Sequence, residues 1–177
     1  MAYIDADEFF ETRDGETLPS ILREFEDVEG VGALGVNWRL HSSSGLLTRP
    51  DSMRQSFTTC VGDPEVLPIA NLPVYKDNRL IKSIVRTSFF EKPLSPHIFK
   101  TQNGTRTVGE HGDIIQNGIG VRQPITRDRI GLHHYTLKSR EQFEEKMKSW
   151  TDKGWAYWDH IEGLPQLECQ EMTKYEP

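Results

Sequence analysis

Residues 34–40, Leu-Gly-Val-Asn-Trp-Arg-Leu, decide the fold class, because large apolar side chains alternate there with glycine and polar residues. A period of two along the chain predicts a half-buried β-strand. The small polar loop 42–45 follows, and loops rich in Gly, Pro and Asn separate the strands predicted elsewhere. Those strands lie near 55–60, 80–87, 97–100 and 129–137. Short strands with few helices and no β-α-β repetition predict an α/β fold, or an α+β fold if the chain is a fragment.

Two helices are predicted from capping residues and apolar side chains at helical spacing. The first begins behind Thr17, an N-cap residue that precedes apolar positions within 18–25. The second begins at Ser139, which forms a capping box with Gln142, and is predicted to end at Gly154. The apolar stripe of this second helix is Phe143, Met147 and Trp150.

Length and composition limit the classes of protein to which the chain can belong. Its 177 residues favour one domain, which we place at 1–163 and which a polar tail follows at 164–177. The net charge of −6 and the scattered basic residues argue against nucleic acid as a partner. No apolar run reaches the roughly 20 residues that a membrane-spanning helix needs. Cys60 and Cys169 fit no zinc-binding spacing, and are either one disulfide or two buried thiols.

An acidic cluster, Asp5-Ala6-Asp7-Glu8, stands between the apolar pairs 3–4 and 9–10. If a strand ends in this cluster, the side chains of Asp5 and Asp7 leave the same side of the chain. Two such carboxylates are a suitable seat for Mg²⁺ or Mn²⁺. A bound divalent ion would stabilise the charge on a diphosphate leaving group. The pattern Asp-x-Asp is common on solvated turns, and the apolar flanks favour a functional interpretation here.

The histidines concentrate near the predicted strands and the loops between them. On an alternating strand His134 and Leu132 share one face, while His133 points the other way, so one histidine of the pair is expected to face inward. Each histidine is either a hydrogen-bonded strand residue or a ligand. In the second case His134 completes a metal site with Asp7, and an imidazole suits Mn²⁺ better than Mg²⁺ or Ca²⁺.

Four segments of the chain resemble a known family in their order as well as in their residues. They are Tyr-Ile-Asp-Ala-Asp-Glu-Phe-Phe at 3–10, Trp38 with Ser44-Gly45 and Pro50, 81–86 followed by His97, and 134–143 with Lys146 and Gly154. Over about residues 2–154 the chain resembles glycosyltransferase family 92 and its bacterial family-2-like relatives. These relatives are Golgi proteins in eukaryotes and cytosolic in bacteria, so the resemblance leaves localisation open.

The resemblance implies a GT-A fold and inverting transfer of a sugar from a nucleotide-sugar donor to a hydroxyl of a carbohydrate acceptor. It implies Mn²⁺ or Mg²⁺ as the cofactor, with Asp5, Asp7 and His134 as its protein ligands. Asp5 and Asp7 would also bind the donor, with Lys138 and Ser139 near its phosphates. A lysine adds a point charge there, and Ser139 heads a helix whose N-terminus favours phosphate.

The acceptor side of the site is less specified by motif. Candidates for contact with the acceptor are Trp38, Ser44, Gly45 and His97, although a tryptophan on a strand is also a normal core residue. An inverting transfer needs a general base beside the acceptor hydroxyl, and that base is most often Asp or Glu. Glu110 and Asp113, in the loop before the histidine pair, are the candidates.

One departure from the family and two other functions stay open. In GT-A enzymes the parallel strands that hold the nucleoside precede the Asp-x-Asp motif, whereas only residues 1–4 precede Asp5 here. We therefore expect an incomplete mixed sheet that lacks the N-terminal nucleotide-binding strands, with a partner chain or a further N-terminal segment completing it. The alternatives are an inactive carbohydrate-binding module of this type, or a non-haem Fe(II) oxygenase that uses His111, Asp113 and either His133 or His134.

Overall fold

The computed structural model describes residues 1–115, 118–148 and 153–175. Within these ranges the chain forms ten strands and four α-helices. In chain order they are β1 Glu8–Thr12, α1 Leu18–Glu26, β2 Val31–Leu40, α2 Met53–Ser56, β3 Thr59–Val61, β4 Ile81–Val85, β5 Phe90–Pro93, β6 Phe99–Thr101, β7 Arg106–Val108, β8 Ile114–Ile115, β9 Ile130–His134, α3 Arg140–Met147, α4 Lys153–Gly163 and β10 Gln166–Glu168. None of the described helices has the length and apolarity that a bilayer crossing requires.

The chain divides into two compact units. The first comprises Met1–Trp38 and Asp63–Leu132, and the second comprises Arg39–Gly62 and His133–Pro177. The prediction of one domain at 1–163 with a polar tail at 164–177 stays a prediction. Strands β2 and β9 begin in the first unit and run on along the chain into the second.

A mixed sheet builds the first unit. Its strands follow the order β1-β9-β2-β7-β8, with β4 paired to β2 as well. Strand β2 is antiparallel to β4 and parallel to β7, and β8 is antiparallel to β7. The mixed sheet with flanking helices is compatible with the predicted α/β class. The strands predicted near 80–87, 97–100 and 129–137 are present as β4, β6 and β9, all shorter than predicted.

Strand β2 is buried on both faces, and not on one face as its alternation predicts. At Gly35 an added Cβ would lie 2.6 Å from the Ile115 Cδ1 and 2.7 Å from the Ile81 Cδ1, so glycine lets these side chains cover the second face. At Asn37, which is fully buried, the side-chain carbonyl accepts a hydrogen bond from Arg122 Nη1 at 2.9 Å. The second face of β2 can therefore be buried, because Gly35 has no side chain there and the side chain of Asn37 is hydrogen-bonded.

In the second unit the segment predicted as a polar tail is part of the packed structure. Strand β10 pairs antiparallel with β3, and Cys169 forms a disulfide with Cys60. Cys169 and Met172 are both buried. The disulfide answers the question that sequence spacing leaves open. The strand predicted near 55–60 is reduced to β3, because residues 53–56 form the short helix α2.

Both predicted helix starts are confirmed. Thr17 caps α1 and Ser139 caps α3, each in a reciprocal capping box with the third helical residue. The predicted end of the second helix is wrong, because α3 stops at Met147 and Gly154 lies in the first turn of α4. A Cβ at Gly154 would be 1.9 Å from the sulfur of Met147, so a larger residue there would displace the Met147 side chain. Trp150, predicted in the apolar stripe, lies outside the described residues.

Candidate functional site

The acidic cluster forms a turn that its own residues close. The backbone N–H of Glu8 donates to the carbonyl of Asp5 at 3.1 Å, and the Asp5 N–H donates to Glu8 Oε2 at 2.8 Å. Strand β1 begins only at Glu8, so Asp5 and Asp7 precede a strand instead of ending one. This corrects the argument that alternation along a strand orients their carboxylates. The apolar flank is also less buried than predicted, since Tyr3 and Ile4 are exposed.

A buried lysine holds this turn from beneath. Lys82 Nζ lies 3.1 Å from Asp5 Oδ2 and 3.2 Å from Glu8 Oε2. The side chains of Lys82 and Glu8 are 2% and 0% exposed, whereas that of Asp5 is 66% exposed. Burial raises the pKa of Glu8 above its ordinary value, although the hydrogen bond from Asp5 and the charge of Lys82 oppose the shift. The result is a fixed turn that presents one aspartate to solvent.

His97 lies beside this ion cluster. Its Nδ1–H donates to the carbonyl of Ile81 at 2.9 Å, and its ring meets that of Trp38 edge-on at 5.1 Å. Burial lowers the pKa of His97, and the positive charge of Lys82 adds to the effect, so the imidazole is neutral at neutral pH. Trp38 is only 8% exposed, which makes it chiefly a core residue with little ring face for a sugar. The predicted acceptor contact of His97 stays a prediction.

The predicted donor residues of the second unit surround the start of α3. The backbone N–H groups of residues 140 and 141 donate to the carbonyls of Leu46 and Leu47, at 2.9 and 3.0 Å. Those of residues 142 and 143 donate to the hydroxyl and carbonyl oxygens of Ser139, which is fully buried. All four amides are therefore occupied, and this argues against Ser139 and the helix N-terminus as a phosphate seat. Lys138 adopts a left-handed backbone conformation at φ 65° directly before the cap.

The loop 42–45 holds its conformation through its own small side chains. Ser44 and Gly45 have φ values of 52° and 69°. The hydroxyl of Ser44 accepts a hydrogen bond from the backbone N–H of Thr59 at 3.0 Å, while Gly45 is exposed. Contact of these residues with an acceptor stays a prediction.

Glu110, one candidate base, is a buried loop anchor. Its carboxylate accepts hydrogen bonds from the backbone N–H groups of Asp128, Arg129 and Ile130 at 2.9 to 3.0 Å. Burial alone would raise the pKa of Glu110, but the interaction with the Thr126 side chain and these backbone hydrogen bonds hold it below its ordinary value. A carboxylate that is 2% exposed and bonded in this way would have to break these bonds to reach a sugar hydroxyl.

Asp113, the other candidate base, is engaged by a single arginine. Its two oxygens accept from the Nε and Nη2 atoms of Arg122, each at 2.7 Å. This bidentate pair lowers the pKa of Asp113. His111 donates to a different carboxylate, that of Asp128, at 2.9 Å. In the structure the two residues of the His-x-Asp spacing at 111–113 therefore have different partners, Asp128 for His111 and Arg122 for Asp113.

The structure places the predicted site residues in both units. The first unit holds Asp5, Asp7, Trp38, His97, Glu110 and Asp113, and the second holds Ser44, Gly45, His134, Lys138 and Ser139. Of the three predicted metal ligands, Asp5 and Asp7 belong to the first unit and His134 belongs to the second. Their binding of one metal ion stays a prediction.

The second unit also contains a histidine pair that sequence spacing does not reveal. His41 Nδ1–H donates to the carbonyl of Phe57 at 2.8 Å, and His41 Nε2 lies 2.9 Å from His133 Nδ1. Burial lowers the pKa of His41 to about 3, so its ring is neutral. Of the neighbouring histidines, His133 is buried and His134 is half-buried. His41 and His133 are 92 residues apart, and no local motif links them.

No protein-family model matches the chain, and no curated protein matches it significantly.

Proposed function

We propose that the chain is part of a metal-dependent, inverting glycosyltransferase that moves a sugar from a nucleotide-sugar donor to a hydroxyl of a carbohydrate. The observation that carries the proposal is the turn Asp5–Glu8, in which a 66% exposed aspartate stands on a buried Lys82–Glu8 ion pair. A rigid base beneath an exposed carboxylate is the preorganisation that a metal or phosphate site needs. Of the four segments that resemble the family, 3–10 contains this turn and 81–86 contains Lys82.

The carboxylates of this turn are ligands of the kind that the implied metal takes, with Asp5 Oδ2 already bonded to Lys82. Asp5 and Asp7 would hold Mn²⁺ or Mg²⁺, and His134 would supply the third protein ligand. Two carboxylates and one imidazole form a donor set that suits Mn²⁺ better than Mg²⁺. When bound, the ion supplies positive charge to the departing diphosphate.

The chain's own groups then orient the donor. Lys82 holds Asp5 Oδ2 at 3.1 Å and so fixes the direction of that carboxylate. Lys138 contributes a cation for the donor phosphates. His97 would contact the acceptor through Nε2, which is able to accept a hydrogen bond from a sugar hydroxyl because Nδ1–H already donates to Ile81.

Neither alternative function gains support from the geometry. An iron site at His111 and Asp113 would compete with the bidentate Arg122 pair and with Asp128. A carbohydrate-binding module built on Trp38 would need an open ring face, and this ring is 8% exposed.

Release of nucleoside diphosphate in the presence of a carbohydrate acceptor tests the proposal. With a panel of nucleotide-sugars we expect release that depends on Mn²⁺ and stops on chelation. Asp7→Asn should lower the rate by about a hundredfold or more, because a metal ion contributes several kcal/mol of charge stabilisation. Asp14→Asn, at an exposed turn position, is the matched control and should leave the rate unchanged. Release that persists with chelator, or that Asp7→Asn leaves intact, would contradict the proposal.

A further inference from the structure

Four side chains that commonly bind zinc meet in the interior of the second unit. They are His41, Cys60, His133 and Cys169, none of them more than 3% exposed. The sulfur of Cys60 lies 3.6 Å from the Nε2 of His41, and that atom lies 2.9 Å from the Nδ1 of His133. One ligand atom from each of His41, His133 and Cys169 lies within 4.8 Å of the others. In the structure the two sulfurs are joined as a disulfide.

Two of these distances can be compared with the edges of a zinc-centred tetrahedron, in which the two sulfurs, now joined as a disulfide, would have to separate. With Zn–S near about 2.3 Å and Zn–N near about 2.0 Å, adjacent N and S ligands stand about 3.5 Å apart and two N ligands about 3.3 Å apart. The Cys60 sulfur lies 3.6 Å from both ring nitrogens of His41, so it stands beside the ring and has to move to the Nε2 side once the disulfide opens. The N–N distance of 2.9 Å has to open by only a few tenths of an ångström.

Hydrogen bonding already orients one imidazole for a metal. His41 donates its Nδ1–H to the carbonyl of Phe57, so its Nε2 carries the lone pair and points into the cluster. Metal-bound histidines are almost always fixed in this way through the second ring nitrogen. Without an ion, Nδ1–H of His133 donates to this lone pair. With an ion, His133 would bind through Nδ1 and carry its proton on Nε2.

We propose that reduction of the Cys60–Cys169 disulfide converts this cluster into a Cys₂His₂ zinc site. A dithiol reductant supplies two electrons and two protons to the S–S bond and is itself oxidised to a disulfide. Zn²⁺ then displaces the two thiol protons and binds two thiolates and two neutral imidazoles. The charges of ion and thiolates cancel, so a buried site carries no net charge.

Cobalt(II) titration tests the site, because tetrahedral Co²⁺ with thiolate ligands has characteristic visible and charge-transfer absorption. The protein is reduced with dithiothreitol, desalted without oxygen and titrated with Co²⁺. One equivalent should give the tetrahedral thiolate spectrum, and Zn²⁺ should then abolish it by displacement. The oxidised protein should give no such spectrum.

Ligand variants separate coordination from packing. Cys169→Ser and His133→Gln should each weaken Co²⁺ binding by about a hundredfold or more, beyond the upper range of losses for outer-shell partners. His133→Cys should retain a tetrahedral spectrum, since Cys₃His is also a structural zinc set. His111→Gln, at an exposed histidine of the first unit, should bind as the wild type does.

Three results would overturn the proposal. They are absence of the thiolate spectrum in the reduced wild type, its persistence in a His41→Gln/His133→Gln double variant, and its loss in His133→Cys. If the reduced chain loses its circular dichroism, addition of Zn²⁺ should restore it, and failure to do so would also count against the site.

Discussion

Replacing Cys60 and Cys169 together with alanine is expected to lower the free energy of unfolding by about 4 to 5 kcal/mol, the chain-entropy value for opening a loop of about 100 residues. The two cysteines are 109 residues apart, and the loop that they close contains the whole of Asp63–Leu132. The disulfide thus ties together the two separate segments, Arg39–Gly62 and His133–Pro177, that make the second unit. The measurement is urea denaturation of oxidised wild type and variant, with chelator present to exclude metal binding.

The reduced wild type is the matched control for this experiment. It should unfold at nearly the same urea concentration as the double variant, because both lack only the cross-link. A dithiol should not change the variant further. An equal unfolding free energy for oxidised wild type and variant would show that the disulfide does not constrain the unfolded chain as expected.

Replacing Lys82 with methionine is expected to cost about 3 to 5 kcal/mol of stability at neutral pH, the usual penalty for removing one partner of a buried ion pair. Glu8, with no exposed side-chain surface, would keep a charge without the ammonium group 3.2 Å away. Chemical denaturation at several pH values provides the measurement. Lys100→Met is the control, because its pair with Glu91 is solvent-exposed and is worth less than about 1 kcal/mol.

The same variant makes a pH prediction with a definite sign. Burial already raises the folded pKa of Glu8 above its ordinary value of 4.5, and loss of Lys82 raises it further. A carboxyl group of this kind stabilises the fold below its unfolded pKa, and the stabilisation is lost as the pH rises through the folded pKa. The deficit of Lys82→Met should therefore shrink as the pH falls through the raised folded pKa of Glu8, and most of it should be gone by about pH 4.5. Adding Glu8→Gln to Lys82→Met should also recover much of the lost stability at neutral pH. A loss of stability that depends neither on pH nor on Glu8→Gln would refute the ion-pair explanation.

Local sequence patterns predict which helices and strands form. They predict less well how buried these elements are and where they end. The capping boxes at Thr17 and Ser139 are confirmed, because a cap depends on residues within one turn. The burial of β2 on both faces depends on Gly35 and Asn37 meeting distant side chains, which no local pattern contains. The prediction that Gly154 ends a helix is wrong for the same reason. Its contact with Met147 forms only when two helices pack, and no local pattern shows this.

The same difference between local and long-range contacts applies to the candidate site. Sequence motifs identify Asp5 and Asp7 and also the segment 81–86, but not the contact between Lys82 and Asp5, because these two residues are 77 positions apart and meet only on folding. Glu110 and Asp113 are plausible bases by position, and only the structure shows their carboxylates bonded to backbone amides and to Arg122. The His41–His133 pair has no sequence signal at all, since His41 follows β2 and His133 lies in β9, 92 residues further along the chain.

Magnetic resonance of bound Mn²⁺ tests most directly whether Asp5, Asp7 and His134 share one cation. The oxidised protein, labelled with ¹⁵N-histidine and loaded with one equivalent of Mn²⁺, is measured by electron–nuclear double resonance. The proposed site predicts hyperfine coupling to a single histidine nitrogen that disappears in His134→Gln and persists in His111→Gln, together with loss of Mn²⁺ binding in Asp5→Asn/Asp7→Asn. Bound Mn²⁺ without histidine coupling, or with coupling that His134→Gln leaves unchanged, would contradict it.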